Sequence, residues 1–255
     1  MDSRTSPSLE GAEAWLLRAN EHLGEVAPLT LDVLKAEREA MIASLDDPEL
    51  VEVGIEGSLR LAGPVTPIPI RISILIGEAI QALRRSLDYL IYELAWLDSG
   101  KPKKRTQFPL DDSDLDFWRR LKRVKRGPAA YLIGVSGEHA AAIERYQPYF
   151  GTHWTKLLQD ISNPDKHRHL TITKTQNSVT VTAEAAKNQA RIRRLYNGFT
   201  VFMPYGDDMQ MKFEVTLYVA LDDGTRVVDA LQEIQDGVNY ILFSFDPCFK
   251  GKCPH

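Results

Sequence analysis

The segment from Ile76 to Leu97 constrains the fold most strongly, because its apolar residues keep a helical period without interruption. Seven of them follow one another in alternating steps of four and three: Ile76, Ile80, Leu83, Leu87, Leu90, Leu94 and Leu97. This spacing places all seven in one seam along a helix. We therefore predict a long central helix over about residues 71–98.

The rest of the chain predicts helices first and strands later. Residues 9–24 and 30–44 have helical patterns, with Thr30 as the expected N-cap of the second helix. From Leu170 the apolar period changes to two, and Gln176-Asn177-Ser178 predicts a hairpin turn. The long helix is expected to end at Ser99-Gly100, Ser136 is expected to cap a later helix, and Asp229 is expected to cap a last helix.

This order of elements is typical of an α+β fold. We predict an N-terminal helical bundle with one long central helix, followed by an antiparallel sheet and a C-terminal helix. The whole chain, residues 1–255, is expected to form a single α+β domain. Its helical part covers about 9–168, the sheet and C-terminal helix about 169–246, and the tail 247–255.

Composition indicates an ordinary globular chain without membrane segments. The 255 residues are 44% apolar and 26% charged. Neither an apolar signal segment near the start nor a run of about 18 apolar residues is present in the sequence. The expected location is the cytoplasm, with no membrane contact.

Charge is distributed unevenly along the chain. Residues 101–126 contain ten Lys or Arg and four Asp, a local charge of +6 in a chain whose net charge is −4. A basic patch on an acidic protein favours a polyanionic partner, although solvated helix faces produce the same pattern. The candidate ligand-binding residues of this segment are Arg119, Arg120 and Arg123.

One dense polar stretch, residues 162–169, is the strongest candidate for a site. We expect it to lie near Arg84 and Asp88, an i, i+4 pair on the long helix. In this hypothesis His167 is the general base, and Arg84 and Lys166 hold a phosphate. Asn163 and Asp165 orient these groups. The predicted catalytic residues are His167, Asp165, Arg84 and Asp88, and the predicted ligand-binding residues of this stretch are Asn163, Lys166 and Arg168. The same residues are also compatible with a structural hydrogen-bond hub, and His167 with His169 is compatible with a metal site.

Two cysteines near the end of the chain leave three interpretations open. Cys248 and Cys253 could close a small disulfide loop, could join His255 as ligands of a soft metal, or could lie in a free tail.

The sequence lacks Gly-x-Gly-x-x-Gly, P-loop, Gly-x-Ser-x-Gly and His-Glu-x-x-His motifs. We therefore predict no cofactor and no metal.

Four blocks resemble a widespread group of uncharacterised bacterial proteins: residues 76–95, 106–109, 143–149 and 158–168, the last containing Asn-x-Asp-Lys-His-Arg. The helical half is also distantly similar to the higher eukaryotes and prokaryotes nucleotide-binding (HEPN) superfamily. Ribonuclease members of that superfamily carry an Arg, four to six residues and then a His on one helix. This chain departs from that pattern, because Arg18 and His22 stand too close and no Arg precedes His167 at the required spacing.

Taken together, the sequence predicts a cytosolic bacterial protein that binds RNA or a phosphorylated ligand. The HEPN resemblance implies a ribonuclease-type defence or toxin component, while the broken motif leaves catalysis open. The alternative is a non-enzymatic protein-interaction or structural protein, in which the 163–168 turn only locks helix to sheet. The apolar seams at 76–97 and 231–245 could also form a homodimer.

Overall fold

The computed structural model describes residues 6–45, 51–53, 59–61, 67–119, 131–162, 170–182, 191–195, 198–205, 209–221 and 224–253. The chain divides into two compact units. Unit 1 is formed by residues 1–28, 70–168 and 227–255, and unit 2 by residues 29–69 and 169–226.

Six helices are described. They are α1 (Glu10–Leu45), α2 (Ile70–Ser99), α3 (Asp114–Arg119), α4 (Gly137–Glu144), α5 (His153–Ser162) and α6 (Val227–Phe249). A single 3₁₀ turn, Pro148–Phe150, precedes α5. The long central helix predicted from the apolar period is confirmed as α2, and Ser136 is confirmed as the N-cap of α4, where its side chain accepts a hydrogen bond from the His139 N–H.

The core of unit 1 forms where α2, α5 and α6 pack together. Six of the seven seam residues of α2 are buried, and Leu97 is half-buried. The apolar seam of α6 is buried as well, at Leu231, Ile234, Val238, Ile241 and Phe245. Because α2 and α6 contact each other, the two seams predicted to form a homodimer are covered inside the chain.

Two glycines allow the helices of unit 1 to approach closely. A Cβ atom at Gly237 on α6 would overlap the Trp154 ring of α5, and one at Gly11 on α1 would lie 2.6 Å from Tyr89 Cδ1 of α2. Nearby, the buried Ser86 hydroxyl donates to the Ala12 carbonyl at 2.8 Å. Small residues therefore set the distance between helices, since any larger side chain would force them apart.

The first two predicted helices are one helix, and the predicted N-cap at Thr30 is wrong. α1 continues through Pro28, although proline removes one backbone donor from a helix. The reason is a continuous buried face, Val26, Thr30, Val33 and Glu37, whose steps of four, three and four span the proline. The last helix also begins earlier than predicted, at Val227, so that Asp229 lies within its first turn.

Unit 2 contains the strands, which are described by their backbone pairing. They are β1 (Val51–Val53), β2 (Leu59–Leu61), β3 (Leu170–Thr182), β4 (Arg191–Leu195), β5 (Gly198–Tyr205) and β6 (Met209–Leu221). β1 pairs with β2, and the other four lie in the order β3-β6-β5-β4, all antiparallel.

The hairpin predicted at Gln176-Asn177-Ser178 is wrong. β3 runs straight through this tripeptide and pairs with β6 from Leu170 to Thr182. The register shifts between Gln176 and Ser178, which means that a bulge accommodates the extra residue without a turn.

The predicted α+β fold class is also wrong. Among the residues whose burial the structure describes, the chain is mostly helical, and the strands contribute only the end of β6 at 218–221. The C-terminal helix α6 packs on α2 and α5 inside unit 1. The physical reason is that α6 carries an apolar seam complementary to that of α2, so helix-on-helix burial decides where it packs.

Candidate functional site

A pocket of about 460 Å³ lies in unit 1 beside α2. Its lining consists of Asp88, Tyr89 and Tyr92 from the helix and of Lys103, Lys104, Arg105 and Thr106 from the following segment. Three cations against one carboxylate give the lining a formal charge of +2. Lys104 and Arg105 are exposed and Lys103 is half-buried, so the positive groups are accessible at the pocket mouth.

The end of α2 directs the chain back along the helix. Gly100 has a φ of +70°, and its N–H donates to the Trp96 carbonyl at 2.9 Å. The Ser99 hydroxyl donates to the Ala95 carbonyl at 2.6 Å. This end at Ser99-Gly100 agrees with the sequence prediction, because glycine adopts the left-handed conformation at little cost.

Two side chains of α2 hold the returning segment at Phe108. Arg84 Nη2 donates to the Phe108 carbonyl at 2.6 Å, and Asp88 Oδ1 accepts from the Phe108 N–H at 2.8 Å. Arg84 Nε and Asp88 Oδ1 are 3.9 Å apart. Burial raises the pKa of Asp88, and the Arg84 charge and the Phe108 N–H offset this only in part. The pair therefore positions the backbone that carries the cations of the pocket.

Local backbone geometry shapes the basic side of the pocket. Arg105 has a φ of +66°, in the left-handed region that non-glycine residues seldom adopt. Gly134, with a φ of +90°, lies against the Lys103 stem, since a Cβ atom there would come 2.7 Å from Lys103 Cε. Such strain is commonly kept at ligand-binding positions, where surrounding contacts hold it in place.

The structure describes three of the predicted site residues. Asp88 lines the pocket, and Arg84 lies one helical turn before it. Arg119 ends α3, where it pairs with Asp116 at 3.5 Å, and it is not part of the pocket lining. The remaining predicted residues lie outside the described part of the chain: Arg120, Arg123, Asn163, Asp165, Lys166, His167 and Arg168.

The pocket also includes residues that sequence reasoning did not assign to a site. Lys103, Lys104 and Arg105 were visible as a basic run after the long helix, and the favourable interaction of cations with a helix C-terminus accounts for part of such a run. Tyr89 and Tyr92 follow Asp88 on the same helix. The available signal was therefore a basic run that directly follows a helix carrying Asp88 and two tyrosines.

The cysteines form a disulfide, Cys248–Cys253, which is one of the three interpretations that the sequence left open. His255 lies outside the described residues. Within the described ranges, one group of His, Cys, Asp and Glu has three ligand atoms close enough to hold a metal, namely His139, Cys248 and Cys253. Asp98 lies behind His139. Burial opposes ionisation of the Asp98 carboxyl, but hydrogen bonds from His139 and the Ser136 backbone outweigh the effect of burial, so the pKa of Asp98 is lowered.

The described helices include none that combines the length and apolar character needed to cross a membrane. Comparison with known proteins adds no relative from which a function could be inferred. No protein-family model, no curated protein and no solved structure matches this chain.

Proposed function

We propose that unit 1 binds a phosphate-bearing ligand, RNA or a nucleotide, in the pocket beside α2. The observation that supports this most directly is the run of three consecutive cations, Lys103 to Arg105, lining one pocket together with two tyrosines. Lysine and arginine form charge-assisted hydrogen bonds with phosphate oxygens. Tyrosine rings provide faces on which a base can stack.

Pocket size is compatible with this class of ligand. A volume of about 460 Å³ falls within the roughly 300–1,000 Å³ typical of small-molecule sites. It suits a mononucleotide or one terminal nucleotide of an RNA strand better than a duplex. Asp88 is the one carboxylate among the lining residues that the structure describes, and its Oδ1 atom is engaged by the Phe108 N–H.

The proposal concerns binding first. Cleavage of RNA by His167 and Asp165, with Arg84 and Asp88, is the finer hypothesis suggested by the HEPN-like resemblance. It is tested by incubating the protein with RNA and comparing product sizes with those of His167→Ala. Unchanged cleavage in that variant would remove His167 from a catalytic role.

Binding is tested with a fluorescently labelled single-stranded RNA and an unlabelled mononucleotide as competitor, at two salt concentrations. Replacing Lys103, Lys104 and Arg105 together by Gln should weaken binding more than tenfold. Each lost phosphate contact should also reduce the slope of log affinity against log salt by about 0.7. Lys35→Gln is the control for loss of a surface charge, because Lys35 is exposed and lies outside the pocket.

Two results would reject this function. One is the absence of RNA and nucleotide binding at low salt. The other is an affinity for the triple variant that equals that of Lys35→Gln, because binding would then depend on other surfaces.

A protein-interaction role is the second candidate, and exposed aromatic residues on α6 favour it. Tyr240 is 64% and Phe243 is 79% exposed, whereas the seam on the opposite side of the helix is buried. Solution mass measured over a range of concentrations tests it. Self-association that disappears in Phe243→Ser would favour this role. A monomeric mass at every concentration would exclude a homodimer.

A further inference from the structure

The end of α6 brings two sulfur atoms beside a buried histidine from a distant part of the chain. His139 Nε2 lies 3.2 Å from Cys253 Sγ, although the residues are 114 positions apart in sequence. The ligand atoms of His139, Cys248 and Cys253 all lie within 4.8 Å of one another. His139 and Cys248 are buried and Cys253 is exposed, so the group opens to solvent on one side.

A specific helix termination places the second cysteine. The Lys252 N–H donates to the Pro247 carbonyl at 2.8 Å, and the Gly251 N–H donates to the Cys248 carbonyl at 3.2 Å. With Gly251 at a φ of +71°, these bonds form a Schellman motif. The chain therefore reverses after α6 and returns Cys253 to Cys248.

The histidine ring is oriented by a carboxylate. His139 Nδ1 lies 2.9 Å from both Asp98 Oδ1 and Asp98 Oδ2, and the Ser136 N–H donates to Asp98 Oδ2 at 2.7 Å. An ionised carboxylate only accepts hydrogen bonds, so Nδ1 carries a proton. In the neutral ring the lone pair is then on Nε2, the atom facing the sulfur. A carboxylate behind a histidine in this way is the usual support for a metal-ligating imidazole.

We propose that His139, Cys248 and Cys253 form a binding site for a soft divalent metal ion of the zinc class when the two cysteines are reduced. Thiolate and imidazole are the ligands such ions prefer. Zn–S bonds of about 2.3 Å and Zn–N bonds of about 2.0–2.1 Å in a tetrahedron require these ligand atoms to lie roughly 3.5–3.8 Å apart. His139 Nε2 already lies 3.2 Å from Cys253 Sγ, and reduction must let the two bonded sulfurs separate to reach these distances. Three protein ligands leave a fourth position for water or an added ligand.

The disulfide is the metal-free form in this proposal. Reduction by a phosphine breaks the S–S bond: the phosphine gives two electrons and takes an oxygen from water to become a phosphine oxide. The two protons of that water go to the two sulfurs, giving two thiols. A divalent ion then replaces both thiol protons and forms two metal–sulfur bonds. Metal binding therefore requires a two-electron reduction and releases two protons to the solvent.

Cobalt(II) is the probe for the experiment, because thiolate coordination to it gives visible absorption. The tag-free full chain is titrated with Co²⁺ before and after reduction by a phosphine, and Zn²⁺ is then added as a competitor. We expect one equivalent of Co²⁺ to bind with sulfur-to-metal absorption only after reduction, and Zn²⁺ to displace it.

Variants separate this site from non-specific binding. Asp98→Asn should weaken Co²⁺ binding by roughly 10- to 100-fold, as loss of a carboxylate behind a ligating histidine usually does. His139→Ala and Cys253→Ser should each weaken it further. Cys253 is exposed, so its variant remains informative if His139→Ala fails to fold. His153→Ala is the matched control, because His153 is 70% exposed and pairs with Glu233 outside the cluster.

The proposal is overturned if the reduced chain binds no Co²⁺. It is also overturned if Cys253→Ser binds as tightly as the unaltered chain, or if the oxidised chain binds equally well. In each of these cases the disulfide next to His139 would be purely structural.

Discussion

Arg84 and Asp88, one turn apart on α2, divide the two backbone hydrogen-bonding groups of Phe108 between them. The Phe108 residue is fully buried, so its N–H and carbonyl need partners from the protein. The predicted catalytic pair thus has a defined structural task, which is to anchor the segment that carries the cations of the pocket.

Loss of the arginine should destabilise unit 1. Arg84→Met would remove the donor to the Phe108 carbonyl, and we expect the free energy of unfolding to fall by about 1–3 kcal/mol. Urea denaturation measures this. Arg18→Met is the control, because Arg18 is exposed and pairs with the exposed Glu21, so its effect should stay within about 0.5 kcal/mol. Equal stability of the two variants would show that the Arg84 hydrogen bond contributes nothing.

Asp88→Asn should change the pH dependence of stability in a defined direction. Burial raises the pKa of Asp88 in the folded chain, so the folded state holds this proton more tightly than the unfolded state does. Binding of this proton by Asp88 adds to the free energy of unfolding. The added stability is complete below the pKa of Asp88 in the unfolded chain, about 3.9, and is lost as pH rises through its pKa in the folded chain. The unaltered chain should therefore lose stability relative to Asp88→Asn over that window, as measured by Tm at a series of pH values. A relative gain over the same window would contradict the raised pKa.

The same substitution makes a second measurable change in the pocket. Removing the Asp88 carboxylate from the lining should strengthen binding of an anionic ligand, by about two- to tenfold at low salt. The labelled RNA and the mononucleotide measure this effect. Weaker binding by Asp88→Asn would indicate instead that Asp88 contacts the ligand directly or is needed to hold the pocket in shape.

Helix packing should be most sensitive at Gly237. Gly237→Ala would place a methyl group into the Trp154 ring, and we expect a loss of about 1–3 kcal/mol in unfolding free energy. Gly77→Ala is the matched control, because the added Cβ on α2 would have nothing within 4 Å beyond its chain neighbours and the helix's own backbone. That control should gain up to about 1 kcal/mol from helix propensity. A stabilised Gly237→Ala would mean that α5 and α6 can separate at no cost.

Local patterns were enough to predict several features. The apolar period of α2 and the N-cap at Ser136 were read correctly, since both depend on residues within a few turns of one another. Thr30 and Asn177 were assigned wrongly because each position carries a local signal that a longer buried pattern or strand pairing overrides. For the candidate pocket, sequence patterns singled out Asp88 and the neighbouring Arg84, but not the basic residues that line the pocket with Asp88.

The sequence by itself determined where the long apolar seams lie, because side-chain period is a property of neighbouring residues. Only the tertiary structure decided that the seams of α2 and α6 cover each other, that Lys103 to Thr106 return to Asp88, and that Cys253 meets His139. The physical reason is that these contacts join residues far apart in the chain. They depend on which surfaces bury each other best and on the left-handed turns at Gly100 and Gly251, whose effect on chain direction no local pattern specifies.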